Sequence, residues 1–180
     1  MSNAETLCAL GYQARKEDRL DAAKQLFAEA VELCRAAADQ ALLARSLTGL
    51  GQIERDLKNN IQALRHYQEA ASIQRSLRDP LRLAHTIRHI GDILRNLGSV
   101  EQAIPCYEEA LTIYREHNET SRLDLANAIR GLALLRGDHG ETEQAMSLWQ
   151  EARGLYNSVN VQPGVDESDA QIKRLAAHRD

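Results

Sequence analysis

Aromatic side chains are scarce in this sequence, at 4% of its 180 residues, and proline occurs only at positions 80, 105 and 163. With Ala, Leu, Glu, Gln and Arg dominant, so few helix breakers leave nearly the whole chain free to be helical. The three cysteines, Cys8, Cys34 and Cys106, are odd in number and widely spaced, without a C-x-x-C pair. That pattern supplies neither a disulfide framework nor a zinc site and is expected of reduced thiols in a cytoplasmic protein. No run approaches the roughly 20 apolar residues that span a bilayer, and the N-terminus lacks a basic-then-apolar leader, so no membrane association is expected. The net charge of −4 lacks the positive excess of a chain held on nucleic acid by bulk charge. There is no Gly-rich phosphate loop and no G-x-S-x-G elbow, so neither an enzyme nor a cofactor is expected.

What the sequence does contain is self-similarity. Four segments carry the same series: Leu10-Gly11, Ala23, Phe27, Ala30; then Leu50-Gly51, Ala63, Tyr67, Ala70; then Ile90-Gly91, Ala103, Tyr107, Ala110; then Leu132-Ala133, Ala145, Trp149, Ala152. The offsets are 40, 40 and 42 residues. A Gly or Ala after a branched residue removes bulk where two helices cross, and the aromatic between two alanines fills the space they leave. Each unit is therefore expected to be two antiparallel helices. Asn59 with Gln62 and Ser99 with Gln102 have the spacing of capping boxes opening second helices, and Asp79-Pro80 suits the start of a first helix. The expected boundaries are repeats at about 4–38, 39–78, 79–118 and 119–160, a linker at 161–165, and a capping helix at 166–178 carrying Val165, Ile172, Leu175 and Ala176 as its apolar stripe. Nothing comparable precedes Leu7 and Leu10, which leaves the first repeat open to self-association. Cys106 and Trp149 read as core residues.

Over about residues 5–160 this series resembles the tetratricopeptide repeat family. Two features depart from that family. Its usual first-helix aromatic is replaced by Ala14, Glu54, Leu94 and Arg136, and its usual second-helix proline by Arg35, Arg75, Arg115 and Asn157. Without the proline the second helix can run on, in keeping with a period of 40 and with the long-helix variants in kinesin light chains, spindle-orientation scaffolds and bacterial peptide-sensing regulators. The resemblance implies an all-α, right-handed α-solenoid of four antiparallel helix pairs whose first helices line a concave groove, with the C-terminal helix as a cap.

By the same resemblance, four positions of each first helix face the groove: Glu5, Cys8, Tyr12 and Arg15; Arg45, Thr48, Gln52 and Arg55; His85, Arg88, Asp92 and Arg95; Asn127, Arg130, Leu134 and Gly137. These sixteen hold six arginines and two acids, a local balance of +4 that leaves −8 for the rest of a chain of −4. A basic groove attracts an acidic partner segment, and guanidinium grips carboxylates in a fork. The candidate peptide-binding residues are Tyr12, Arg15, Arg45, Gln52, Arg55, His85, Arg88, His89, Arg95, Asn127 and Arg130, with the arginines as anion contacts and the others as hydrogen-bonding or stacking groups. The implied partner is a protein or peptide with an acidic or extended segment, and the implied role is a non-catalytic adaptor or scaffold. Cys8 and Tyr12 occupy the positions where chaperone-tail binders carry Lys and Asn, so that specificity is not expected.

Two alternatives stand beside this. The chain could be the peptide-sensing fragment of a larger signalling or transcriptional regulator. More remotely, His85, His89 and Asp92 share a helix face and could ligate a metal in a metal-binding or enzymatic protein, although the H-E-x-x-H pattern is absent and Arg88 lies on the same face.

Overall fold

The computed structural model describes residues 3–177; Met1, Ser2 and the last expected cap residue, His178, lie outside the described residues. Among the described residues there are nine helices and no strand: α1 (Asn3–Lys16), α2 (Leu20–Ala36), α3 (Gln40–Asp56), α4 (Asn60–Ser76), α5 (Pro80–Asn96), α6 (Val100–Glu116), α7 (Arg122–Asp138), α8 (Thr142–Ser158) and α9 (Gln162–Ala176). None of them is long and apolar enough to cross a membrane. The chain forms two compact units, residues 1–93 and 94–180. In the first, α1 packs on α2, α2 on α3 and α3 on α4; in the second, α6 packs on α7, α7 on α8 and α8 on α9. Within each unit this is the neighbour-to-neighbour stacking of an all-α helical-repeat array.

Short turns impose that packing. Seven of the eight connections are three residues long, and in each the middle residue has a left-handed backbone: Asp18, Ala38, Lys58, Arg78, Gly98, Gly140 and Asn160, with φ between 54° and 76°. The third residue then donates its N–H to a carbonyl five residues back, as Asp39 does to Cys34 at 3.0 Å and Asn59 to Glu54 at 2.8 Å, which closes off the helix end. Two of the seven are glycines, and Asp18 and Asn160 are of the types that tolerate this region, so the steric cost falls on Ala38, Lys58 and Arg78. The exception is the five-residue connection 117–121, where His117 is extended and Ser121 accepts the N–H of Asp124. Its two extra residues are the reason the last repeat is offset by 42 rather than 40.

Volume matching fills the core as the repeat spacing implies. A Cβ added at Gly11 would lie 2.8 Å from the Phe27 ring, and one at Gly49, on the next first helix, 2.3 Å from its other edge. Phe27 is thus clamped between two glycines. Tyr67 lies against Gly51, Tyr107 against Gly131, and the Tyr156 ring against Gly164 of α9. Trp149 is fully buried among Ala133, Ala145 and Leu175. Glu54, at the position of the missing family aromatic, is only 3% exposed and is held by Lys24 at 2.9 Å and Asn59 at 2.8 Å.

Three local expectations are corrected. Asn59 and Ser99 do sit at N-caps, but neither side chain caps; Asn59 spends its amide on Glu54, and at α6 the Ser99 carbonyl rather than its hydroxyl accepts the Gln102 N–H, at 3.2 Å. Side-chain caps occur at Asp39, which accepts from Leu42 at 3.0 Å, and at Asp79 before Pro80, which accepts from Arg82 at 3.3 Å. The helix at the C-terminal end begins at Gln162 rather than 166, because Pro163 serves in its first turn where no N–H is needed. Cys106 is half-buried rather than core, its thiol bonded to the Gln102 carbonyl at 3.3 Å.

Candidate peptide-binding face

In the first unit the candidate residues of α1, α3 and α5 fall into three tiers of exposure. Arg45 is exposed and has no hydrogen-bond or ion-pair partner among the described residues. Arg15 and Arg55 are partly exposed and committed: Arg15 Nε donates to Asp56 at 2.7 Å and its Nη1 to Gln52 at 3.4 Å, while Arg55 Nη2 reaches Asp56 at 3.4 Å. Tyr12 packs edge-on against Phe27, at 4.9 Å and 79°, and burial raises its phenol above the ordinary value. Tyr12 and Arg15 also line a cavity of about 410 Å3 with Lys16, Asp18, Leu20, Asp56 and Lys58.

The third tier is buried. Arg88, its side chain 9% exposed, donates to Asp92 at 3.0 Å, but its Nε has no partner. His89 stacks flat on Tyr67, with centroids 5.3 Å apart and rings within 13° of parallel, and His85 meets it edge-on at 4.7 Å. Burial, reinforced by the charge of Arg88, pushes His89 down to about 3 despite its bond to Asp92, so the ring is neutral at physiological pH. A neutral imidazole has one N–H and one lone pair. Yet both nitrogens face guanidinium groups, Nδ1 at 2.8 Å from Arg55 and Nε2 at 2.9 Å from Arg88. If Nδ1 keeps the proton and gives it to Asp92, 3.3 Å away, Nε2 accepts from Arg88 and Arg55 loses its acceptor. If Nε2 keeps it, Arg88 is the loser. The same crowding speaks against a metal on His85, His89 and Asp92, since a cation would sit against two guanidinium groups; among the described residues no cluster of His, Cys, Asp and Glu has the form of a metal site.

In the second unit the candidates are less available. Arg130 forks onto Glu167 of α9 at 2.6 and 2.7 Å, and Asn127 accepts from the Tyr156 hydroxyl at 2.9 Å. Both are thereby tied to the C-terminal part of the chain, with α9 lying across from α7 as a further first helix would. Arg95 has a buried Nε without a partner. A larger cavity of about 630 Å3 lies elsewhere in this unit, among α6, α7 and α8, with Leu111, Leu132 and Leu148 and the ion-paired Arg115 and Arg136 in its walls.

Three partners of the candidate residues, two in the first unit and one in the second, lie outside the set expected from sequence. Asp56 and Glu167 fall outside the sixteen positions, and each takes an arginine. Tyr67 was assigned to the core alone. The signal for it is the residue two before each landmark Gly or Ala: Gly49 and Gly131 lie there under Phe27 and Tyr107, and in the third repeat that place is held by His89, under Tyr67.

Stacked helix pairs, held by small residues packed under aromatic rings, define a helical-repeat scaffold of the kind that contacts other proteins. The chain belongs to the tetratricopeptide repeat family, whose model matches residues 2–76 and 82–158. Among solved structures it is similar to BtubC (BKLC) from P. vanneervenii, with 19% identity and a TM-score of 0.78 over 87% of this chain and 64% of that one. It is also similar to aspartyl phosphate phosphatase F from Bacillus subtilis, with 18% identity and a TM-score of 0.83 over 93% of this chain and 44% of that one. The chain thus spans less than two thirds of either neighbour's length, and the likeness is one of fold. Among curated proteins no sequence matches.

Proposed function

We propose that the chain is a non-catalytic adaptor that holds an acidic, extended segment of another protein against the first helices of its first unit. The observation that carries this is the graded cationic face: Arg45 exposed and uncommitted, Arg55 partly exposed on the same helix and Arg15 partly exposed on α1, with the exposed Lys16 and Lys58 lining the same cavity as Arg15. A guanidinium is more weakly hydrated than an ammonium and grips a carboxylate through two parallel N–H groups, while Gln52 and Tyr12 suit a peptide backbone. Arg130 belongs to this reading only if Glu167 releases it, and Asn127 only if the Tyr156 hydroxyl does. The test is selection of random peptides displayed on phage against the full chain and against an Arg45→Glu, Arg55→Glu variant. Enrichment of Asp and Glu by wild type alone supports the proposal; peptides without charge bias, or the same peptides from both proteins, would sink it.

A second reading, a regulatory segment whose peptide occupancy is relayed to further domains, is favoured by the 44% of aspartyl phosphate phosphatase F that this chain spans. Its test is whether the complete reading frame encodes an additional folded domain.

A further inference from the structure

We propose that Arg88, Tyr67 and Arg55 form a built pocket for one carboxylate of the bound segment, an inference that rests on the peptide-binding reading above. Donors without acceptors border His89 on side chains from three helices. Arg88 Nε, on α5, is buried with no partner, and so is the hydroxyl of Tyr67, on α4, in a side chain that is 0% exposed. The tautomer of His89 adds a third, because one of the guanidinium N–H groups of Arg55, on α3, or Arg88 always faces a protonated ring nitrogen. Tyr67 is tied to this group by its stack on His89 and by the fields of Arg55, Arg88 and Asp92 acting on its hydroxyl.

The chemistry of the missing group follows from what it must supply. It has to be an acceptor, since donors are in surplus. A water molecule would bring two further donors into that surplus, whereas a carboxylate brings none and offers about four lone-pair sites. Charge selects in the same direction. Arg15, Arg55 and Arg88 face Asp56 and Asp92, leaving one positive charge for a monoanion to neutralise. A phosphate, with more than one negative charge near neutral pH, exceeds that balance. Arg55 is the more exposed guanidinium of the pair around His89, at 24% against 9% for Arg88, and is the side chain able to swing aside for entry.

The full chain, labelled with 15N in its histidine rings, is titrated with sodium acetate at ionic strength held constant with sodium chloride, and separately with inorganic phosphate. The expected result is a saturable change in the His89 ring nitrogens with acetate, weaker with phosphate. Arg88→Lys, which keeps the charge but loses Nε, and Tyr67→Phe, which keeps the ring against Gly51, should each weaken acetate binding at least tenfold. Lys173→Gln, on exposed α9 surface, should not change it. Helical circular dichroism confirms that each variant is folded. A shift that is linear in acetate, a tighter response to phosphate, or wild-type affinity in Tyr67→Phe would overturn the pocket. The two proposals fail separately: acetate saturation without any acidic-peptide binding removes the adaptor reading and leaves the pocket. Acidic peptides bound equally by wild type, Arg88→Lys and Tyr67→Phe remove the pocket and leave the adaptor.

Discussion

Two glycine-to-alanine substitutions in the second unit, both inside helices, should change stability in opposite directions. In α8, a Cβ at Gly154 meets nothing within 4 Å, so Gly154→Ala gains only the helix preference of alanine, about 1 kcal/mol. In α7, a Cβ at Gly131 would lie 2.2 Å from Tyr107 Cε1 and 2.5 Å from Cζ. Tyr107 is 0% exposed, so the ring has no solvent side to move into. Overpacking of this kind costs roughly 1–3 kcal/mol, at the upper end for a clash this short with a rigid ring. After the helix-preference gain, Gly131→Ala should lose about 2 kcal/mol net, some 3 kcal/mol apart from Gly154→Ala. The assay is urea unfolding followed by circular dichroism, with melting temperature as a second readout at about 2–4 °C per kcal/mol for a chain of this size. Replacing the ring in the double variant Gly131→Ala, Tyr107→Leu should recover part of the loss. If the two single variants are equally stable, or if Tyr107→Leu does not relieve Gly131→Ala, the ring-on-glycine clamp does not hold the repeats together.

Further outcomes follow from the same structure. Ala38, at φ 55°, occupies a left-handed turn position, so Ala38→Gly should raise stability by about 1 kcal/mol, whereas Gly98→Ala, at φ 75°, should lower it by a similar amount; paired urea midpoints decide. At Glu54, burial opposes the charge but the bonds from Lys24 and Asn59 outweigh it, holding the carboxyl below the ordinary 4.5. Its contribution is therefore present above about pH 4.5 and lost as pH falls through the folded value, and Glu54→Gln should flatten the acid limb of the stability curve by that amount. His89 lies below its ordinary 6.5, so the unfolded chain takes up its proton first. Stability should be full above pH 6.5 and fall by about 1.4 kcal/mol per pH unit below it until pH nears 3, and histidine NMR should find the His89 ring unprotonated at pH 5.

The elements legible from sequence are those set by local volume. Leu-Gly followed by Ala, aromatic, Ala places a ring and a gap at fixed spacing, and Phe27, Tyr67, Tyr107 and Trp149 are buried for that reason. Helix ends were legible less well, because the turns here close through backbone bonds rather than through the side chains of Asn59 and Ser99. The candidate face was legible as a set of arginines but not as a circuit. Whether an arginine is free depends on partners about 40 residues away, as with Arg15 and Asp56 or Arg130 and Glu167, and no periodicity within one repeat reveals them. His89 shows the limit most clearly. Its spacing from His85 and Asp92 suggested a ligand set, whereas it stands where other repeats carry glycine beneath an aromatic, and its nitrogens are turned to arginines.

The central claim, that first-helix arginines of the first unit hold an acidic segment, is tested most directly by the affinity of one selected acidic peptide. Fluorescence anisotropy would compare it with its Asn- and Gln-substituted counterpart, in wild type and in Arg45→Gln, Arg55→Gln, at low and at physiological ionic strength. Binding that needs the carboxylates, weakens about tenfold or more in the variant and falls with salt is the predicted result. Equal binding of the charged and neutral peptides, unaffected by the two substitutions, would contradict it and move the interaction to another surface of the repeats.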